Sequence, residues 1–269
     1  MKDKSVMNQK RDERIDSIKF LLMVLVVAGH VFSKIDFYWP SYFCRVTWQW
    51  IYMFHMPLFV AISGYFSRKK TSKDFLSDSI KTFEPLFIFQ AIYIISHRAF
   101  SVTEIFTPWW ILWYLLSLFF WRTILQFLPQ RVIDKKVIVV ICSFVLGVFV
   151  GFLPLTKFLS LQRTFAFLPF FFLGYYMRGS NNEWQSFYRR YPFIHTYKGL
   201  HLLFLAGTIL IPALFPAILG NLRHSFPYHS IYEMFFRIFV FCLSIPMSVS
   251  FLRICPKSRL FAKQGRFTM

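Results

Sequence analysis

The sequence predicts an all-α protein, a polytopic transmembrane helix bundle of about eight spans with both termini cytoplasmic. Three observations predict it. Hydrophobic residues are 56% of the 269, with 37 Phe, and charged residues only 16%, against roughly 25% in soluble domains. The apolar residues gather into runs close to the ~20 residues a helix needs to cross the hydrocarbon core. The charge is lopsided, +19 from 31 Lys+Arg and 12 Asp+Glu, and the cations collect between alternate runs. The same figures exclude a polar, disordered chain. Four Cys are too few for a disulfide scaffold. A soluble nucleic-acid binder would be basic without apolar runs of this length, so nucleic acid is not an expected partner.

The expected elements follow in order. A basic cytoplasmic segment, 1–14, leads into a membrane domain, 15–255, and a cytoplasmic tail, 256–269. Within the domain the spans fall at 17–32, 46–66, 83–96, 108–127, 137–155, 165–177, 200–219 and 234–252. The third and sixth are short and need flanking residues to cross. With the N-terminus inside, 23 of the 31 cations lie on inner segments, counting Lys19 at the inner end of the first span, six on outer loops, and Arg122 and Arg237 within spans. That split obeys the positive-inside rule loop by loop, and a basic inner collar is what anionic lipid headgroups attract. The first run ends Ala28-Gly29-His30-Val31. It lacks a small-x-small cleavage signature, so it reads as a retained helix.

Ionisable groups inside spans are expensive in lipid and each needs a reason. Asp16, Lys19 and His30 fall near one face of the first span, since eleven steps of about 100° bring His30 within about 20° of Lys19. The alternative is an interfacial Asp/Lys pair with a helix-end His. On the second span His55 precedes Pro57, which removes a backbone donor. His55 lies about 13 Å, and His30 about 10 Å, below the outer surface. Two imidazoles at similar depth on consecutive helices suit general acid/base chemistry; two separately bonded histidines are the alternative. Arg237 and Glu233, at i and i+4, are expected to pair. His97, His224 and His229 read as outer-loop residues. Trp39, Trp48, Trp50, Trp109 and Trp110 read as an aromatic belt, with stacking on sugar rings as the second reading. No Cys or His spacing points to a metal site, and none is expected.

Several motifs converge at this point. Arg14-Ile15-Asp16-Ser17-Ile18-Lys19, with an apolar run ending Gly29-His30, resembles the opening of the membrane-bound acyltransferase 3 family. Phe54-His55-Met56-Pro57-Leu58-Phe59 through Ser63-Gly64-Tyr65-Phe66 resembles that family's second signature, nearest the fucose 4-O-acetylase-like branch. Trp113-Tyr114-Leu115 and Phe170-Phe171-Phe172-Leu173-Gly174-Tyr175 are similar to its later segments. The resemblance implies a multi-pass cell-membrane enzyme, expected in a bacterial plasma membrane. It implies transfer of an acyl group, most often acetyl, from cytosolic acetyl-CoA to a surface glycan or lipid-linked sugar. It implies His30 and His55 as catalytic residues, and Arg14, Asp16 and Lys19 as donor-binding ones. Two features depart from the pattern. The family's paired arginines of the second inner loop are unmatched, with Arg68, Lys69, Lys70, Lys73 and Lys81 in their place. The ending Gly265-Arg266-Phe267-Thr268-Met269 resembles the start of a final family segment, so the chain reads as stopping two spans early. The alternative functions are a polysaccharide or lipid-linked sugar transporter, and an inactive truncated acyltransferase.

Overall fold

The computed structural model describes residues 13–98, 100–155, 158–178, 197–216, 224, 227–256 and 258–265. Most of the 1–14 segment lies outside them, as do Lys157, Arg189, Arg190, Arg223 and the last four residues. Among the described residues every regular element is helical: α1 (Glu13–Tyr38), α2 (Tyr42–Phe66), α3 (Ser72–His97), the one-turn α4 (Val102–Ile105), α5 (Leu112–Phe127), the one-turn α6 (Gln130–Ile133), α7 (Lys136–Phe149), α8 (Leu161–Met177), α9 (Lys198–Gly207), α10 (Leu210–Leu214), α11 (Ile231–Ile254) and α12 (Arg259–Gly265).

Each expected span overlaps a helix, residues 217–219 of the seventh lying outside the described ones, and the differences have local causes. The third and sixth are longer than their apolar runs, because α3 begins at a Thr71 cap whose hydroxyl accepts from Asp74 N–H, and α8 begins at Leu161. The fourth starts late: Pro108 precedes it and Trp110 adopts a left-handed φ of 47°, so α5 begins at Leu112. The seventh is broken into α9 and α10. Pro212 has no N–H for the Thr208 carbonyl, which accepts from Ile211 N–H three residues on. The segment expected as a tail carries α12, which packs on the start of α1. There Ser258 N–H donates to Ser17 Oγ, Phe261 stacks on Phe20 at 5.4 Å, and Gly265 lies against the Asp16 carbonyl.

The burial pattern departs from that of a water-soluble bundle. Polar side chains such as Gln49, Ser63, Ser117, Gln162, Thr164 and Ser244 are buried. The outer faces of α3 (Phe87, Ile88, Ile92, Ile95) and α7 (Val137, Ile141, Val145, Phe149) are apolar and exposed, far beyond the patches a soluble monomer shows. Among the described residues α1 and α11 are long and apolar enough to cross a membrane. The fold is that of a helical membrane protein.

Helix α2 is the central element, packed against α1, α8 and α11. Pro57 lies within it and leaves the Met53 carbonyl without its helical donor. Ser244 on α11 donates its hydroxyl to that carbonyl, so a cross-helix bond repairs the break one turn from His55. Ser244→Ala is expected to cost about 1 kcal/mol, the scale of interhelical hydrogen bonds in membranes. A thermal unfolding scan in detergent with no shift would show that the bond contributes nothing.

Candidate functional site

Two cavities lie along α2, one beside its middle and one at its C-terminal end. The larger, about 600 Å³, opens at the end of the bundle where α1 finishes, and it is lined by His30, Lys34, Tyr52, His55, Trp110 and Arg163 among others. His30 and His55, the two expected catalytic residues, therefore face one chamber. Tyr52 sits between them: its phenol lies 3.4 Å from His30 Nδ1, and its ring is 5.1 Å from that of His55. His55 Nδ1 is 2.7 Å from the Ile51 carbonyl. A carbonyl only accepts, so Nδ1 carries the proton and Nε2 keeps the lone pair. The chamber is large enough for a small organic ligand.

Its far wall comes from residues the sequence does not flag. His97, at the end of α3, lines the chamber with its ring 4.6 Å from Trp109. Glu104 on α4 also lines it. Gln90 ties this wall together, donating from Nε2 to the carbonyls of Glu104 and Thr107 and accepting from Trp109 N–H. Trp110 and Ser160, both lining residues, have left-handed backbones (φ 47° and 53°), each costing of order 1–3 kcal/mol. Strained non-glycine backbone gathered at one rim marks a site whose shape matters.

The five outer tryptophans divide. Trp48 donates to Asp36 at 3.1 Å and Trp50 to Thr208 at 3.0 Å, Trp109 and Trp110 line the chamber, and Trp39 and Trp110 are exposed. An indole N–H with a partner in reach is held by it, and sequence position gives no sign of that. The expected Arg237–Glu233 pair is also replaced. Arg237 donates to the Gly147 carbonyl and lies 4.5 Å over the Tyr228 ring, while Glu233 accepts from His229 N–H. His224, expected in an outer loop, lies outside any helix yet is not exposed. It is buried between Phe167 and Phe241, and burial, with the Arg237 and Arg163 charges nearby, holds its pKa well below the usual value.

At the C-terminal end of α2 a small cavity of about 40 Å³ is lined by Arg68, Lys70, Asp78 and Arg122 among others. The Lys70–Asp78 hydrogen bond pulls the carboxyl below its ordinary range. Arg122 thus belongs to a cationic pocket. None of the expected donor-binding residues lines this pocket, and of the three Lys19 touches its wall. Lys19 is ion-paired with Asp16 at 3.0 Å and lies 4.6 Å over the ring of Phe66, a wall residue. Arg14 donates to the Leu252 carbonyl at 2.7 Å. Between the two cavities Tyr114 and Ser63 share a buried hydrogen bond, with Phe59 5.1 Å from the Tyr114 ring.

Two histidines of consecutive helices thus face one chamber lined by charged and aromatic side chains. Comparison with known proteins decides the class: a family model described as an acyltransferase domain matches residues 12–269, and the chain belongs to the acyltransferase 3 family. It is 45% identical over 60 residues to Nodulation protein NolL of Sinorhizobium fredii, covering 20% of this chain and 15% of that protein. It is 44% identical over 62 residues to Nodulation protein NolL of Mesorhizobium japonicum, covering 21% and 16%. The chain thus matches less than a fifth of the length of these relatives. No solved structure matches.

Proposed function

We propose that this acyltransferase spans the membrane eight times with both ends cytoplasmic, and moves an acetyl group from cytosolic acetyl-CoA to a hydroxyl of a surface glycan or lipid-linked sugar. The observation that carries the reading is the shared chamber of His30 and His55 in a chain of this family. The loop charges support the orientation, which puts the cationic pocket inside and the histidine chamber toward the outer surface. Arg68, Lys70 and Arg122, with the Asp16–Lys19 pair and Arg14 behind them, attract the donor's phosphates. His55 lies twelve residues from Ser67, about 18 Å along α2, so an extended acyl-pantetheine arm links the two cavities by displacing the Ser63–Tyr114 contact.

The chemistry follows. His30 donates from Nδ1 to the Tyr52 phenol oxygen and keeps the Nε2 lone pair for the acceptor. As the acceptor oxygen attacks the thioester carbon, its proton passes to Nε2. The C–S bond breaks, and the departing sulfur takes the proton from the imidazolium, giving the O-acyl ester and the free thiol. His55, through Tyr52, fixes the orientation of His30.

The test is a proteoliposome assay with radiolabelled acetyl-CoA. Thioester turnover is expected, and it should rise when cell-envelope glycan is added. Protein that is folded yet neither transfers nor hydrolyses the acetyl group overturns the reading. Sugar movement across the vesicle without acetyl-CoA consumption identifies a transporter instead.

A further inference from the structure

The outer side of this protein is poor in cations: under the proposed orientation only Lys34, Arg45, Arg98, Lys157, Arg163 and Arg223 lie there. Lys34 and Arg163 nevertheless line the histidine chamber. Each is laid over an indole of the same chamber, Lys34 Nζ at 4.9 Å from Trp110 and the Arg163 guanidinium at 5.0 Å from Trp113. Lys34 follows His30 by one helical turn, so both point from one face of α1. Its ammonium meets the rings of Phe37, Tyr38 and Trp110. The nearest acid in sequence, Asp36, is taken by Arg45 at 3.2 Å and Trp48 at 3.1 Å. Among the described residues Glu104 is the single carboxylate lining the chamber, so the fixed charges that these residues bring to it sum to positive with the histidines neutral.

A chamber that needed only a neutral sugar would need neither cation. Holding them there costs desolvation, which the indole faces offset in part. From the Lys34–Trp110 and Arg163–Trp113 pairs around His30 we infer that the acceptor is an anionic glycan. Its carboxylate or phosphate sits at Lys34 and Arg163, and its sugar face lies along the two indoles. The inference rests on the acyl-transfer reading and narrows the acceptor within it. A fixed charge one turn from His30 also selects the hydroxyl presented to that residue, because the anion sets the register of the ring.

The test separates binding from turnover. Wild-type protein in nanodiscs is titrated with hexagalacturonate, with a phosphorylated maltohexaose and with neutral maltohexaose, read by tryptophan fluorescence. At least one acidic ligand is expected to bind about tenfold or more tightly than the neutral one, a difference of about 1.4 kcal/mol, and to weaken as salt is raised. The acid that binds tells a uronate from a phosphate acceptor. Lys34→Gln with Arg163→Gln should erase the preference, and Lys34→Arg with Arg163→Lys, which keeps both charges, should retain most of it. Equal binding of all three sugars, or an undiminished acid preference in the Gln double variant, overturns the inference. Acetyl-CoA turnover in the same wild-type sample reports separately on the acyl-transfer reading.

Discussion

His30→Ala is expected to lower acetyl transfer by about 10²–10⁴-fold, the range lost when a positioned general base is removed. The substitution leaves the bundle intact: His30 is half-buried at the chamber wall, and the truncation enlarges a space that is already open. Expression and thermal unfolding should therefore stay close to wild type while the chemical step collapses. Tyr52→Phe removes the phenol 3.4 Å from His30 Nδ1 but leaves both imidazoles in place. It should lower the rate by about tenfold, the size of one modest hydrogen bond, with the donor KM unchanged. His55→Gln keeps a polar side chain beside the Ile51 carbonyl and should fall between the two. The order His30, His55, Tyr52 in severity is the signature of a base supported from behind. Transfer by His30→Ala at the wild-type rate would remove it from the mechanism, and a larger loss in Tyr52→Phe than in His30→Ala would move the chemistry to the phenol.

How far the sequence alone carries is best seen along α1 and α2. The helices are legible because a chain in lipid must satisfy its backbone internally, so apolar runs and helices coincide. The common depth of His30 and His55 follows from rise per residue and from loop charge, and both residues line one chamber. The Asp16–Lys19 pair is equally visible, at i and i+3. The wall facing the histidines is not. It is assembled from the end of α3, the one-turn α4 and the start of α8, joined through Gln90 and closed by Trp110 and Ser160 in left-handed conformations. Left-handed backbone is usually announced by glycine, and here tryptophan and serine adopt it, so no residue type marks the turn. In the sequence Arg163 is one of six outer-loop cations, and the scarcity of such cations is the available signal. The packing of α12 on α1 joins residues about 240 positions apart, such as Ser17 and Ser258, and no periodicity reports on such a contact.

The glycines of two of the family-like motifs make the strongest structural prediction. Gly64 on α2 and Gly174 on α8 face each other's backbones. A Cβ on Gly64 would stand 1.9 Å from the Phe171 carbonyl oxygen, and one on Gly174 would stand 1.7 Å from that of Ala61. Neither obstacle is the end of a flexible side chain, so the helices must separate to admit a methyl group. Close approach through small residues is how membrane helices gain packing energy in the absence of a hydrophobic drive. Gly→Ala in a helix interior is otherwise worth up to about 1 kcal/mol in favour of alanine, and overpacking of about 1–3 kcal/mol or more outweighs it. Gly174→Ala is therefore expected to be net destabilising, with lower yield and an earlier thermal transition in detergent, and Gly64→Ala likewise. Gly199→Ala on α9 serves as the control, because a Cβ there meets nothing within 4 Å, and it should be neutral or slightly stabilising. The loss should also reach the chamber: α2 carries His55 and α8 carries Arg163, so parting the helices at Gly64 and Gly174 shifts the two walls relative to each other. Activity should then fall in Gly174→Ala even in the fraction that remains folded. A Gly174→Ala protein as stable as the Gly199→Ala control would mean that α2 and α8 do not cross at these glycines.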